Sequence, residues 1–188
     1  MKWRTIASKR ILSNRFLNVE KNAVELPNGV SIDDYYTVTF PEAAAVVAVT
    51  EDGKIVLKSE YRYACREDLI EIPAGGVDPG EKPIDAARRE LLEETGYVSE
   101  KWQHLVSSRE CTSKLTNIMH IFLALDCKKV AAQHLDPTEN LDVIVVPFQE
   151  AVDMILNGKI KCCSSAHGIL MTQQLLAAQP DQLCPQAI

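Results

Sequence analysis

Three glutamates, Glu90, Glu93 and Glu94, fall within five consecutive positions of the segment 84–95, which is rich in good helix formers. On a helix advancing about 100° per residue, their carboxylates lie within roughly 100° of one another around the axis. Carboxylates one turn apart repel, and the nearby Arg89 relieves only part of that repulsion. Such a cluster of hard oxygen donors suits a divalent cation, Mg²⁺ or Mn²⁺. The plain alternative is a solvated acidic helix face. The spacing of the surrounding residues decides against it.

The helix is bounded in the sequence itself. Pro83 sits where a first turn tolerates proline, and Gly96 sits where a helix ends. Ile84, Ala87 and Leu91 make an apolar stripe beside the carboxylates that can face a core. Pro73, Gly75, Gly76, Pro79 and Gly80 precede it and read as a loop. From Gly75 to Tyr97 the stretch reads GGVDPGEKPIDAARRELLEETGY. Gly75, Glu81, Arg89, Glu90, Leu91, Glu93, Glu94, Gly96 and Tyr97 fill the signature Gly, five residues, Glu, seven residues, Arg-Glu-apolar-x-Glu-Glu-x-Gly-apolar. Nine specified positions at fixed spacing carry far more information than a lone glycine motif. The stretch resembles the box of the Nudix hydrolases. Tyr97 is a mild departure, because that position is usually aliphatic.

The resemblance implies hydrolysis of a nucleoside diphosphate linked to a further moiety. It implies Glu90 and Glu94 as principal metal ligands, the Ala74 carbonyl as another, and Glu93 as a further or water-mediated one. Arg89 would orient Glu93, and Glu81 would support the loop or the metal shell. Gly75 and Gly76 would let the backbone approach metal and substrate phosphates. A general base must take a proton from the attacking water. It comes from the box in some members and from a remote loop in others. The remote candidates are Glu139 and then Asp136, with ordinary solvation as the alternative for each.

The elements that must position this site are legible in outline. Residues 1–40 read as short strands, with an alternating run at 16–26, a turn at Pro27-Asn28-Gly29 and a Tyr/Thr/Val-rich run at 31–40. Residues 43–50 (AAAVVAVT) form a continuous apolar run, as a central strand buried on both faces requires. Glu51-Asp52-Gly53-Lys54 turns it into a strand at 55–62, and 69–73 delivers the chain into the box. Strands are expected at 102–109, 118–125 and 141–148, and further helices at 149–157 and 164–178. Residues 179–188, with two prolines, are expected to fray. The fold class is α+β, and the resemblance makes it an α/β/α sandwich around a mixed sheet with an N-terminal antiparallel extension. Residues 1–40 form that extension and 41–180 the catalytic domain, within one structural unit.

Length and composition agree. A chain of 188 residues is one domain by default and can bury a sizeable core. The net charge of −6 argues against a broad nucleic-acid or anionic-membrane surface, while a small anionic substrate stays open because a bound cation reverses the local sign. The start of the chain lacks the apolar run of a signal peptide, and no segment is long and apolar enough to span a bilayer. Six scattered cysteines show no zinc spacing, so reduced thiols and a cytoplasmic location are expected.

Outside the box the chain looks like the branch of ADP-ribose pyrophosphatases and nucleoside diphosphate sugar hydrolases. Carrying this are Glu25-Leu26-Pro27-Asn28-Gly29, Tyr35-Tyr36, Glu60-Tyr61-Arg62, Glu71-Ile72-Pro73-Ala74-Gly75-Gly76 and His120-Ile121-Phe122-Leu123-Ala124. The resemblance implies a homodimer formed through the N-terminal strands, and an arginine at Arg62 that contacts substrate. A Pro-Gly turn usual past the box is replaced by Cys111-Thr112 in a polar connector, 110–117, where the substrate rim is expected. ADP-ribose therefore stands first, with GDP-mannose or ADP-glucose as rivals. A non-catalytic module sensing a nucleotide sugar is the alternative from another class, and retention of all four box glutamates weighs against it.

Overall fold

The computed structural model describes residues 2–178, and the expected fraying of 179–188 lies outside them. The described chain forms eleven strands and three helices in two compact units. One unit comprises the residues up to Glu42 together with Ser108–Met119, and the other comprises Ala43–Ser107 together with the residues from His120 onward.

The first unit is a three-stranded antiparallel sheet in the order β1 (Arg4–Ser13), β2 (Asn18–Glu25), β3 (Ser31–Thr39). Leu26 and Val30 close the turn between β2 and β3, and Gly29 takes the positive φ that the turn needs. The strands are longer than the short pieces expected, because bulges in the β1–β2 and β2–β3 ladders absorb irregular spacing without ending either pair. β1 is exposed along its whole length, including Ile6, Ile11 and Leu12. The polar connector belongs to this unit. Val38 and Thr116 exchange backbone bonds with Lys114 and Val38, Thr116 meets Thr39 through their hydroxyls at 2.9 Å, and Lys114 lies over the Tyr35 ring.

The second unit is built on a mixed sheet whose spine runs β11 (Leu141–Pro147), β5 (Lys54–Arg62), β4 (Ala43–Thr50), β10 (Met119–Lys129), β8 (Tyr97–Val98). β6 (Glu67–Glu71) pairs with β5, β7 (Ala74–Gly76) with β4, and β9 (Lys101–Ser108) with β10. β4 is buried from Ala44 to Val49. Its alternate residues serve two faces. Ala44, Val46 and Ala48 pack with Ala86, Ala87 and Leu91 of α1 (Pro83–Thr95), whereas Val47 meets Gly168 of α3 (Cys163–Ala178). A methyl on Gly168 would come within 2.9 Å of both Val47 and Ile121, so α3 lies tight against the sheet. α2 (Phe148–Leu156) packs beside α3 and completes the three-layer arrangement.

The start of the box is not a loop, as its glycines suggested. Ala74–Gly76 pairs in register with Ala43–Ala45 and only then does the chain turn toward α1. Sheet pairing outweighs the glycines' weak strand preference. At the far end of α1, Gly96 has φ +76° and donates its N–H to the Leu92 carbonyl, a left-handed helix stop. A Cβ there would lie 2.1 Å from the Ala131 carbonyl oxygen, because Val130 and Ala131 both donate to the Gly96 carbonyl. Gly96→Ala therefore combines left-handed strain with a backbone clash and is expected to cost about 3 kcal/mol. Urea unfolding checks it, and a loss below about 1 kcal/mol would mean that the 130–134 segment yields freely.

Candidate active site

The box places its acidic residues in unlike surroundings. Glu90 and Glu94 lie on the buried side of α1 with Ala87 and Leu91, while the Glu93 side chain stays 40% exposed. Burial pushes the Glu90 carboxyl above its ordinary range against the pull of Arg89, with Glu93 and Glu139 adding repulsion. Burial also pushes Glu94 up to about 7, against the pull of Lys58 and the Ala74 N–H.

Arg89 gathers most of the box around one guanidinium. Its Nε and Nη2 hold the two Glu81 oxygens at 3.1 and 3.0 Å. Its Nη1 reaches Glu90 at 2.6 Å and Glu93 at 3.3 Å, and its Nη2 also donates to the Gly76 carbonyl at 2.9 Å. The bidentate bond from Arg89 holds the Glu81 carboxyl below its ordinary range, and Glu81 in turn accepts the Asp78 N–H. One planar fork thus ties Glu81 of the loop, the Gly76 carbonyl at the end of β7, and the Glu90 and Glu93 carboxylates together. Glu90 lies directly against Gly75, whose added Cβ would fall 2.1 Å from the carboxylate, whereas Gly76 faces open space.

One charged residue that the sequence patterns did not single out, Lys58, completes the site, with Glu60 and Glu71 beside it. Lys58 on β5 is fully buried; its ammonium pairs with Glu94 Oε1 and lies 3.4 Å from the Ala74 carbonyl and 3.5 Å from Glu60. The other Glu94 oxygen accepts the Ala74 N–H at 3.0 Å. Arg62 joins Glu71 at 2.6 Å and Glu60 at 3.1 Å, so its guanidinium is held by two carboxylates at the end of β5. The signal for Lys58 was its lone charge behind the apolar Ile55-Val56-Leu57 run. Its partner, 36 positions away, had no local signal.

The loop carrying Glu139 is anchored to the end of α1. His134 donates to the Glu93 carbonyl at 2.8 Å, and Gln133 donates to the Glu94 carbonyl at 2.8 Å and to that of Leu141. Glu139 is half-buried, and its side chain accepts the Asp136 N–H at 3.0 Å. The structure thus brings Ala74, Gly75, Gly76, Glu81, Arg89, Glu90, Glu93 and Glu94 together, with Glu139 near enough to be felt at Glu90.

Two buried carboxylates on one helix, beside the glycines of β7 and backed by a mixed three-layer fold, define an acid-rich site. The sequence matches the family described as NUDIX domain over residues 39–161, and the nucleoside diphosphate sugar hydrolase N-terminal domain over residues 3–38. It is 37% identical to the methanol dehydrogenase activator of Bacillus methanolicus, across 84% of this chain and 85% of that one. It is 32% identical to the ADP-ribose pyrophosphatase of Bacillus subtilis (strain 168), across 94% and 96%. The solved structure of an ADP compounds hydrolase shares the fold with a TM-score of 0.82 at 23% identity, covering 95% of this chain and 96% of that one. The chain belongs to the Nudix family and is a Nudix hydrolase.

Nudix hydrolases generally work with a divalent metal ion. The donor set here fits one. Two buried carboxylates whose ionised forms are disfavoured by burial, beside a backbone carbonyl, are the hard oxygen ligands that such an ion requires. In the arrangement shown, those oxygens are held by Lys58, Arg89 and the Ala74 amide. Among the described residues no three acidic, histidine or cysteine side chains converge on a single point.

Proposed function

We propose that the chain hydrolyses the pyrophosphate of ADP-ribose to AMP and ribose 5-phosphate with Mg²⁺ or Mn²⁺, ahead of other nucleoside diphosphate sugars. The observation that carries this is the similarity to the Bacillus subtilis ADP-ribose pyrophosphatase, which runs through the N-terminal strands and the box alike. The ADP compounds hydrolase contributes agreement in fold.

Glu90, Glu94 and the Ala74 carbonyl would hold the ion, with Glu93 as a further ligand. The bound ion would neutralise the adjacent phosphate charges that otherwise repel water and stabilise charge developing on the leaving phosphate. Arg89 positions Glu90, Glu93 and the Gly76 carbonyl through one guanidinium. Gly75 and Gly76 admit the phosphates close to the backbone, and Arg62, carried at the end of β5, meets substrate. Glu139 takes the water's proton, with Asp136 or Glu93 as the alternatives. Its place on a loop tied to the Glu93 and Glu94 carbonyls supports that role.

A panel of ADP-ribose, ADP-glucose, GDP-mannose, UDP-glucose, a dinucleoside polyphosphate and nucleoside triphosphates, each with Mg²⁺ and with Mn²⁺, tests the proposal. ADP-ribose should turn over fastest, chelation by EDTA should abolish the reaction, and added Mg²⁺ should restore it. Preference for a hexose nucleotide would move the assignment to that sugar. No turnover, with tight binding of one compound, would favour the sensing module. The name of the Bacillus methanolicus relative, an activator of another enzyme, gives that second reading its support.

The chain is further proposed to be a cytoplasmic homodimer joined through its N-terminal strands. The apolar residues Ile6, Ile11 and Leu12 on the wholly exposed β1 support the dimer, and five free cysteines among the described residues suit a reducing compartment. Among the described residues no helix is long and apolar enough to cross a membrane. Sedimentation equilibrium should give twice the chain mass of 20.9 kDa, and a single chain mass would overturn the dimer.

A further inference from the structure

Lys58 is the largest fully buried side chain of the protein's described core, and it is a cation. Its neighbours are the Glu94 carboxylate, the Glu60 carboxylate at 3.5 Å and the Ala74 carbonyl at 3.4 Å. Two of those three, Glu94 and Ala74, are the oxygens assigned above to the metal. Glu94 has no uncommitted oxygen, since Oε1 takes the ammonium and Oε2 takes the Ala74 N–H. A buried carboxylate with no cation beside it is strongly disfavoured, and in this structure the Lys58 ammonium is the positive charge that stands beside Glu94. A second positive charge arriving at the same oxygens is repelled by the first, with little water between them to screen it.

We infer that Lys58 is a built-in counter-cation that keeps Glu94 and the Ala74 carbonyl assembled without metal and competes with the divalent ion for those same oxygens. Lys58 thereby sets how tightly the ion is held, acting through Glu94 as a positioning residue. Glu60 is the carboxylate that retains the ammonium when Glu94 is engaged elsewhere. It also accepts Arg62 Nη1 at 3.1 Å, so the competition reaches the end of β5 where substrate is expected. The inference rests on the ligand assignment of Glu94 and Ala74 made above.

The test is direct Mn²⁺ binding to the full chain without substrate, read from the paramagnetic resonance of free Mn²⁺, together with thermal unfolding with and without the ion. Lys58→Met should bind Mn²⁺ on the order of tenfold more tightly than the parent, within the usual range of coupling between two ligands of one site. It should melt lower without Mn²⁺ and gain more from its addition. Lys58→Arg, which keeps the charge, should bind like the parent. A purely structural lysine predicts weaker binding in both variants. Lys58→Gln, with a donor but no charge, serves the same comparison if the methionine variant does not fold. Binding by the uncharged variants no tighter than the parent, with Glu94→Gln weakened, would overturn this inference alone. Unaltered binding in Glu94→Gln would overturn the ligand assignment and this inference with it.

Discussion

Glu94→Gln is expected to lower turnover of the preferred substrate by at least about 10²–10³-fold, the loss that follows removal of one preorganised electrostatic group. The substitution is nearly isosteric. It keeps an oxygen for the Ala74 N–H, so the entry of the chain into β7 should survive. What it removes is the negative charge, and that charge sits on a side chain only 3% exposed, where neither water nor salt can replace it. Its stability effect is separable from its effect on rate. Deleting one partner of a buried ion pair costs about 3–5 kcal/mol, and here the loss should fall below that range. Lys58 still has Glu60 at 3.5 Å and the Ala74 carbonyl at 3.4 Å. Steady-state kinetics on protein shown by circular dichroism to be folded reads the first quantity, and urea unfolding reads the second. Turnover within a few-fold of the parent would remove Glu94 from the site.

The contrast between Glu94 and Lys58 shows what a sequence can and cannot disclose here. The box is local: Arg89, Glu90, Glu93 and Glu94 occupy adjacent turns of one helix, so helical periodicity alone sets their relative directions. Likewise the run at β4 had to be covered on both faces, because eight consecutive residues without a charged side chain leave no side for water. Lys58, Glu60 and Glu71 come from β5 and β6 and meet the box only through sheet order, which local patterning does not specify. The partners of the connector 110–117 were hidden for the same reason. Its bonds to Val38 and Thr39 span more than seventy positions, and its polar composition looked the same whether it lined a substrate or backed a sheet. Burial was similarly hidden. Glu90 and Glu94 read as surface residues by type, and they are buried because α1 turns its apolar stripe and those two carboxylates toward β4 together.

The two glycines that open the box looked interchangeable in the sequence, and the structure separates them. Gly75→Ala should lower activity by about 10²-fold, whereas Gly76→Ala should leave it within a few-fold. A Cβ on Gly75 would lie 2.1 Å from both Cδ and Oε1 of Glu90, a separation no real atoms adopt. Strand pairing of Gly75 with Ala44 fixes the backbone, so the Glu90 carboxylate is what moves. Its displacement also draws on the 2.6 Å bond to Arg89, and through Arg89 on Glu81 and the Gly76 carbonyl. A misplacement of about 1 Å in a catalytic group is enough for a loss of about 10²-fold. Gly76 has nothing within 4 Å of its would-be Cβ and no positive φ, so alanine there meets neither clash nor strain. The unfolded states should hardly distinguish the pair, since either alanine reduces the freedom of the unfolded chain by about 0.4–1 kcal/mol, so a difference in stability reads the clash at Gly75. Kinetics and thermal unfolding on both variants make the comparison. Equal activity in the two would mean that Glu90 does not depend on its seat against Gly75. Loss only in the first would show that this glycine is required for the space it leaves rather than for the flexibility it lends.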